Sequence, residues 1–128
     1  MEAFKWTIKN VGPVHVVVNN AGVAFNTTFM NGETSKWRTV LETNVLAVAV
    51  VAREAIAMMK AHNIDGHIIN INSIAGHKIL SNISINMYTA SKYAVTAMTD
   101  SLRQELVESG RKIKVTVRKS FVSFALRH

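Results

Sequence analysis

The sequence predicts an α/β fold in which β-branched strands alternate with long helices, and three stretches carry that prediction. His15-Val16-Val17-Val18-Asn19-Asn20-Ala21-Gly22 reads as a buried strand running into a polar turn that ends in glycine. His67-Ile68-Ile69-Asn70-Ile71-Asn72 is a second strand that stops at Ser73. A third, Ile113-Lys114-Val115-Thr116-Val117, follows a long helical stretch and Gly110, a residue suited to the position just past a helix C-terminus. In parallel sheets the C-terminal ends of strands are where ligands bind, so the turns after Asn19 and Asn72 are the first places to look for chemistry.

The elements follow in order. Residues 1 to 13, with one glycine (Gly12) beside the only proline, look like the end of a helix leading into the first strand. Between the first two strands, Thr34-Ser35-Lys36-Trp37 through Met59-Lys60 reads as helical. Trp37, Val40, Leu41, Val45, Leu46 and Val48 recur there at roughly helical spacing. Its Val45–Met59 run is apolar over more than one face, which calls for burial on two sides. The segment from Ser73 to Met87 has no steady period and carries Gly76 and further Asn and Ser residues, so it reads as a loop. Met87–Ser109 then reads as a helix. No internal repeat or low-complexity linker occurs, and the 128 residues, 48% of them apolar, suit one domain or part of one.

The loop and the last helix hold an acid/base pattern. Tyr88-Thr89-Ala90-Ser91-Lys92 begins fifteen residues after Ser73 and puts a phenol and an ammonium at i and i+4, on one helix face. A tyrosine titrates near pH ~10, and a positive charge within a few ångströms favours its anion. The expectation is that Lys92 pulls Tyr88 towards neutrality, so that the phenol donates or accepts a proton there.

Taken together, these residues resemble the short-chain dehydrogenase/reductase family over about residues 14 to 117. Asn19-Asn20-Ala21-Gly22 matches the family's strand-end motif, which supports the sheet while its backbone contacts the adenosine part of the cofactor. The catalytic Asn falls on Asn44, within Thr43-Asn44-Val45, the Ser on Ser73, and the Tyr and Lys on Tyr88 and Lys92. The wording from Asp65 to Ser73 followed by Gly76-His77, and Leu102-Arg103-Gln104-Glu105-Leu106, looks most like the branch holding insect farnesol dehydrogenases and NADP-preferring carbonyl and steroid reductases. The resemblance implies a partial Rossmann-type, doubly wound parallel sheet in three αβα layers. It also implies hydride exchange between NAD(P)(H) and a small hydrophobic alcohol or carbonyl, with NADP(H) favoured over NAD(H). Tyr88 would pass the proton and Ser73 would hold the reacting oxygen. Lys92 would tune Tyr88 and bond the nicotinamide ribose, and Asn44 would link Lys92 to solvent through water. Cofactor contact would come from Asn19, Asn20, Ala21, Gly22, Tyr88 and Lys92. Family members pair through helices equivalent to Val45–Met59 and the Tyr/Lys helix, so a homo-oligomer is expected; a noncatalytic short form that dimerises with a full-length relative is the alternative.

Two departures accompany the match. The Gly-rich strand–turn–helix that receives a pyrophosphate in this family is not found. Past Val117 the family's Ser-x-x-Pro-Gly turn and substrate lid give way to residues 118–128, a divergent tail that points to a gene-model error, an alternative exon or a frameshift. The first strand, lacking a neighbour, should present a sticky edge and make the isolated chain poorly soluble, showing as association in size-exclusion chromatography.

Composition narrows the remaining classes. The net charge of +7 is spread along the chain without a basic helix, stacking module or zinc spacing, which argues against specific nucleic-acid binding. There is no cysteine, so disulfides and thiol catalysis are excluded. The five histidines, at 15, 62, 67, 77 and 128, form no helical pair and no metal site is expected; His77, in the Ser73–Tyr88 loop, is placed to face substrate. No signal peptide opens the chain, and Val45–Ala52 falls far short of the ~20 residues that span a bilayer, so the chain reads as cytoplasmic. The sequons Asn26-Thr27-Thr28 and Asn82-Ile83-Ser84 are then chance matches.

Overall fold

A computed structural model describes residues 2–81, 84–120 and 126–127. The sequon residues Asn82 and Ile83 and most of the tail beyond Ser120 lie outside that set. The order is helix α1 (Glu2–Asn10), strand β1 (Val16–Asn19), strand β2 (Ala24–Phe25), helix α2 (Thr34–Leu41), a π-helical turn (Glu42–Leu46) and helix α3 (Ala47–Ala61). Strand β3 (His67–Ser73), a 3-10 turn (Ile74–Gly76), helix α4 (Asn86–Glu108), strand β4 (Lys114–Ser120) and strand β5 (Leu126–Arg127) follow.

Strands β1, β3 and β4 form a parallel sheet in that spatial order, with β3 central. Val16 pairs with His67 and Asn19 with Asn70 on one side, and His67 with Lys114 through Ser73 with Ser120 on the other. Parallel neighbours need a crossover, and here α2–α3 and α4 supply the two crossovers. The expected strands and helices are present. The third strand runs on past Val117 to Ser120, and Leu126–Arg127 pairs in parallel with Ala24–Phe25. Gly110 has φ +66°, and the Arg111 N–H reaches back to the Leu106 carbonyl at 3.1 Å, so glycine ends α4 as expected.

The period of two along each strand assigns the faces. Ile68 and Val115 enter the main core with Ala55, Met59 and Leu106, and Phe4 and Ile8 of α1 pack against the same cluster. Helices α1, α3 and α4 therefore lie on one face. The other face carries Val16 and Val18, 53% and 52% exposed, together with His67, Ile69, Ile71, Lys114, Thr116 and Arg118. Two of the three expected layers, the sheet and one helical layer, are seen among the described residues. Among the described residues, strand β1 stands at one edge of the sheet.

One feature of the long helix was not expected. Between α2 and α3 the Ala47 N–H bonds the Glu42 carbonyl, a five-residue step that widens the helix at Glu42–Leu46. Asn44 sits in that turn and is 1% exposed.

Candidate active site

The site assembles at the C-terminal ends of β1 and β3, where α4 begins. A pocket of about 70 Å³ is lined by Asn20, Gly22, Ile71, Asn72, Ser73, Tyr88 and Lys92. Tyr88 and Lys92 face it together because they are one turn apart on α4. Ser73 faces it because β3 stops there and the 3-10 turn folds back, with the Ala75 N–H donating to Ser73 Oγ at 3.2 Å. The Ser73 side chain lies within hydrogen-bonding reach of the Tyr88 side chain. Lys92 is 6% exposed, its Nζ donating to the Ile71 carbonyl at 3.1 Å and lying 5.6 Å from the centre of the Tyr88 ring.

Asn44 lies behind the pocket. Its Oδ1 accepts from the Val23 N–H at 2.9 Å, and its Nδ2 donates to the Val23 carbonyl at 2.9 Å and to Ser91 Oγ at 3.0 Å. Ser91 Oγ in turn donates to the Tyr88 carbonyl at 2.7 Å. The π-helical turn thus aims one amide at both the loop after β1 and the first turns of α4. A side chain at Gly22 would sit 3.5 Å from Asn44 Oδ1 and 3.7 Å from Lys92 Nζ, so those two groups converge over this glycine. Asn19 is bound into the sheet, donating to Asn70 Oδ1 at 2.8 Å. Asn20 and Gly22 reach the pocket, whereas Ala21 is exposed and outside its lining. His77 is exposed, just past the 3-10 turn.

The electrostatics differ from the expectation that Lys92 draws Tyr88 towards neutrality. Burial is the larger effect on Tyr88 and raises its pKa above the ordinary tyrosine value, while the hydrogen bond with Ser73 offsets part of the rise. Burial lowers the pKa of Lys92. Desolvation of the two side chains, not the charge of one acting on the other, therefore dominates here. A phenol in this state is a proton donor at neutral pH.

Sequence reasoning missed a set of buried amides behind the pocket. Asn70 Nδ2 donates to Thr99 Oγ1 at 2.9 Å, and Asn72 Nδ2 donates to Thr96 Oγ1 at 2.8 Å and the Lys92 carbonyl at 3.2 Å. The signal was in the strand itself, since Asn70 and Asn72 share the Ile68 face of β3. A larger cavity, about 510 Å³, lies apart from this chemistry between α3 and α4, lined by Ala49, Ala52, Ile56, Ala57, Met98 and Leu102 among others. Size alone would single it out, but it holds no group comparable to the Ser73–Tyr88 pair.

A Rossmann-like sheet with a loop serine beside a helical tyrosine and a lysine one turn on defines a class of oxidoreductase folds, and the short chain dehydrogenase family model matches residues 1–120. The chain belongs to the short-chain dehydrogenase/reductase family. It is 43% identical over 116 residues to the farnesol dehydrogenase of Aedes aegypti, covering 90% of this chain and 47% of that protein. It is 49% identical over 104 residues to dehydrogenase/reductase SDR family member 11 of Gallus gallus, covering 80% of this chain and 41% of that protein. Among solved structures, a short chain dehydrogenase/reductase from Burkholderia phymatum in complex with NAD superposes with a TM-score of 0.83 at 31% identity, over 90% of this chain and 40% of the other. A short-chain type dehydrogenase/reductase from Mycobacterium marinum gives 0.85 at 25% identity, over 91% and 45%. The chain spans less than half the length of each of these relatives.

Proposed function

We propose that this chain carries the proton-transfer centre of an NAD(P)-dependent oxidoreductase that interconverts an alcohol and a carbonyl. The observation that carries the reading is that Ser73, Tyr88 and Lys92 line one pocket, with Ser73 within hydrogen-bonding reach of the phenol. Reduction of a carbonyl builds negative charge on its oxygen, which needs a proton and a second donor within hydrogen-bond reach. Tyr88 Oη gives the proton, and Ser73 Oγ holds the same oxygen. In the reverse direction Tyr88, as its phenolate, takes the alcohol proton.

The residues fit a nicotinamide cofactor. An ammonium has three N–H donors, and Lys92 Nζ makes one hydrogen bond among the described residues, leaving donors for ribose hydroxyls. Gly22 keeps the approach to Lys92 and Asn44 open. The backbone of Asn19, Asn20, Ala21 and Gly22 would meet the adenosine side, and Asn44 would connect Lys92 to solvent through water. Bound there, the cofactor supplies or accepts the hydride. NADP(H) is favoured over NAD(H) by the resemblance to the farnesol dehydrogenase branch, and a small hydrophobic substrate, farnesol-like or steroid-like, by the same argument. No described helix is long and apolar enough to cross a membrane, and we place the protein in the cytoplasm.

A second reading, a noncatalytic form that dimerises with a full-length relative, is supported by the apolar groove between α3 and α4. NADPH fluorescence titration separates the two. Saturable binding that is lost in Lys92→Ala, with turnover falling about 100-fold to 10,000-fold in Tyr88→Phe, is expected of the first. A folded chain that binds no NADPH and co-purifies with a longer relative supports the second.

A further inference from the structure

We propose that Asn72 is a positioning residue for this site, coupling the Ser73 turn to the Lys92 turn of α4 through one buried side-chain amide. The inference rests on the oxidoreductase reading for its purpose and on hydrogen bonds for its substance. Asn72 is 2% exposed and lines the pocket directly before Ser73. Its Oδ1 accepts from the Ser73 N–H at 2.9 Å. Its Nδ2 donates to the Lys92 carbonyl at 3.2 Å and to Thr96 Oγ1 at 2.8 Å. Both N–H donors of the amide and its carbonyl are therefore engaged.

The far end of the serine turn is fastened to the same helical turn. Thr96 Oγ1 donates to the Gly76 carbonyl at 3.0 Å. A Cβ at Gly76 would lie 2.6 Å from the Lys92 carbonyl and 2.8 Å from Asn72 Nδ2, so the turn packs directly on α4. Residues 73–76 are thus pinned at both ends to Lys92 and Thr96, one and two helical turns beyond Tyr88. The distance between the Ser73 hydroxyl and the Tyr88 phenol follows from that clamp. Asn70, two residues earlier on the same face, ties Asn19 to Thr99 and touches neither Ser73 nor Lys92 through its hydrogen bonds.

That difference makes Asn70 the control. Tyr88 ionisation in the purified chain is followed by tyrosinate absorbance, with Tyr88→Phe subtracted to isolate its signal. Loss of the clamp in Asn72→Leu loosens the Ser73 bond, which favours the phenolate, so the Tyr88 midpoint should rise by roughly one pH unit. Asn70→Leu should lower stability and leave the midpoint in place. Thr96→Val, a milder change that keeps the Asn72 bonds to Ser73 and Lys92, should shift it upwards by less, and Thr96→Ser should restore it. A folded Asn72→Leu whose Tyr88 titrates as in wild type, or shifts no more than in Asn70→Leu, overturns the proposal; if Asn72→Leu does not fold, an unmoved midpoint in Thr96→Val does so. The measurement needs neither cofactor nor turnover. Absent NADPH binding, or activity retained in Tyr88→Phe, would instead sink the oxidoreductase reading alone.

Discussion

From Asn86 to Thr99, α4 meets the rest of the chain largely through amides and hydroxyls; beyond Thr99 it meets the sheet through hydrocarbon. Asn44 bonds Ser91, Asn72 bonds Thr96 and Asn70 bonds Thr99 in the first half. Leu102 and Leu106 pack with Met59, Ile68, Ile113 and Val115 in the second. The two chemistries do different things. Burial of hydrocarbon stabilises by about 25 cal/mol per Å² and is indifferent to direction, so it tolerates small rotations of the helix. A neutral hydrogen bond contributes only about 1 kcal/mol net but weakens steeply with angle. The polar half therefore sets the register of Tyr88 and Lys92 against Ser73, and the apolar half supplies most of the stability.

The largest effect expected from this division is in the apolar half. Met59 is fully buried and packs so closely on Gly66 that a Cβ there would meet its thioether at 2.6 Å. Met59→Ala should cost about 2–5 kcal/mol in urea unfolding while Tyr88 titrates at its wild-type midpoint. A Tyr88 shift as large as that of Asn72→Leu would erase the distinction between the halves. Next in size is Thr99→Val, which keeps the shape but leaves Asn70 Nδ2 without its acceptor. It should cost about 1–3 kcal/mol by the same unfolding measurement, with Thr99→Ser close to wild type. A Thr99→Val variant as stable as wild type, with the loss appearing in Thr99→Ser instead, would mean that packing, not the hydroxyl, matters at this position.

The apolar half was the more legible in the sequence. Helical spacing and β-branched runs located β1, β3, β4 and the helices, because those signals are local and period-bound. Ser73, Tyr88 and Lys92 were also legible: the i, i+4 spacing puts a phenol and an ammonium on one face, and the strand-end context and family resemblance single them out with Ser73. The polar scaffold was not. In Ile69-Asn70-Ile71-Asn72, alternation alone would turn the isoleucines inwards, yet the asparagines are buried against α4 and the isoleucines lie on the opposite face. Their partners Thr96 and Thr99 are more than twenty residues away, beyond any local pattern. The π-helical turn was hidden for a related reason: with apolar residues on several faces of Val45–Met59, one extra residue in a turn changes no visible periodicity. Lys92's effect on Tyr88 was misjudged because spacing reports neighbourhood and not desolvation, and burial is the largest influence on the phenol.

The smallest effect concerns the one cation that the polar half buries. Because burial lowers the Lys92 pKa, the folded chain gives up this proton at a lower pH than the unfolded chain does. The unfolded state then binds more protons, and stability attributable to Lys92 rises with pH until the unfolded value of about 10.4 is reached. Lys92→Met has no such proton to lose. Raised from about pH 7 towards about pH 10, wild type should therefore gain stability relative to Lys92→Met in paired urea titrations. Tyr88 acts in the opposite sense, since a phenol whose pKa burial has raised loses folding stability only as the pH climbs above its ordinary value of about 10. Confining the comparison below that value keeps the two contributions apart. A constant difference between the two proteins across the range would mean that the Ile71 carbonyl and the Tyr88 ring compensate the ammonium fully, and that the polar half of α4 holds its charge at no cost in desolvation.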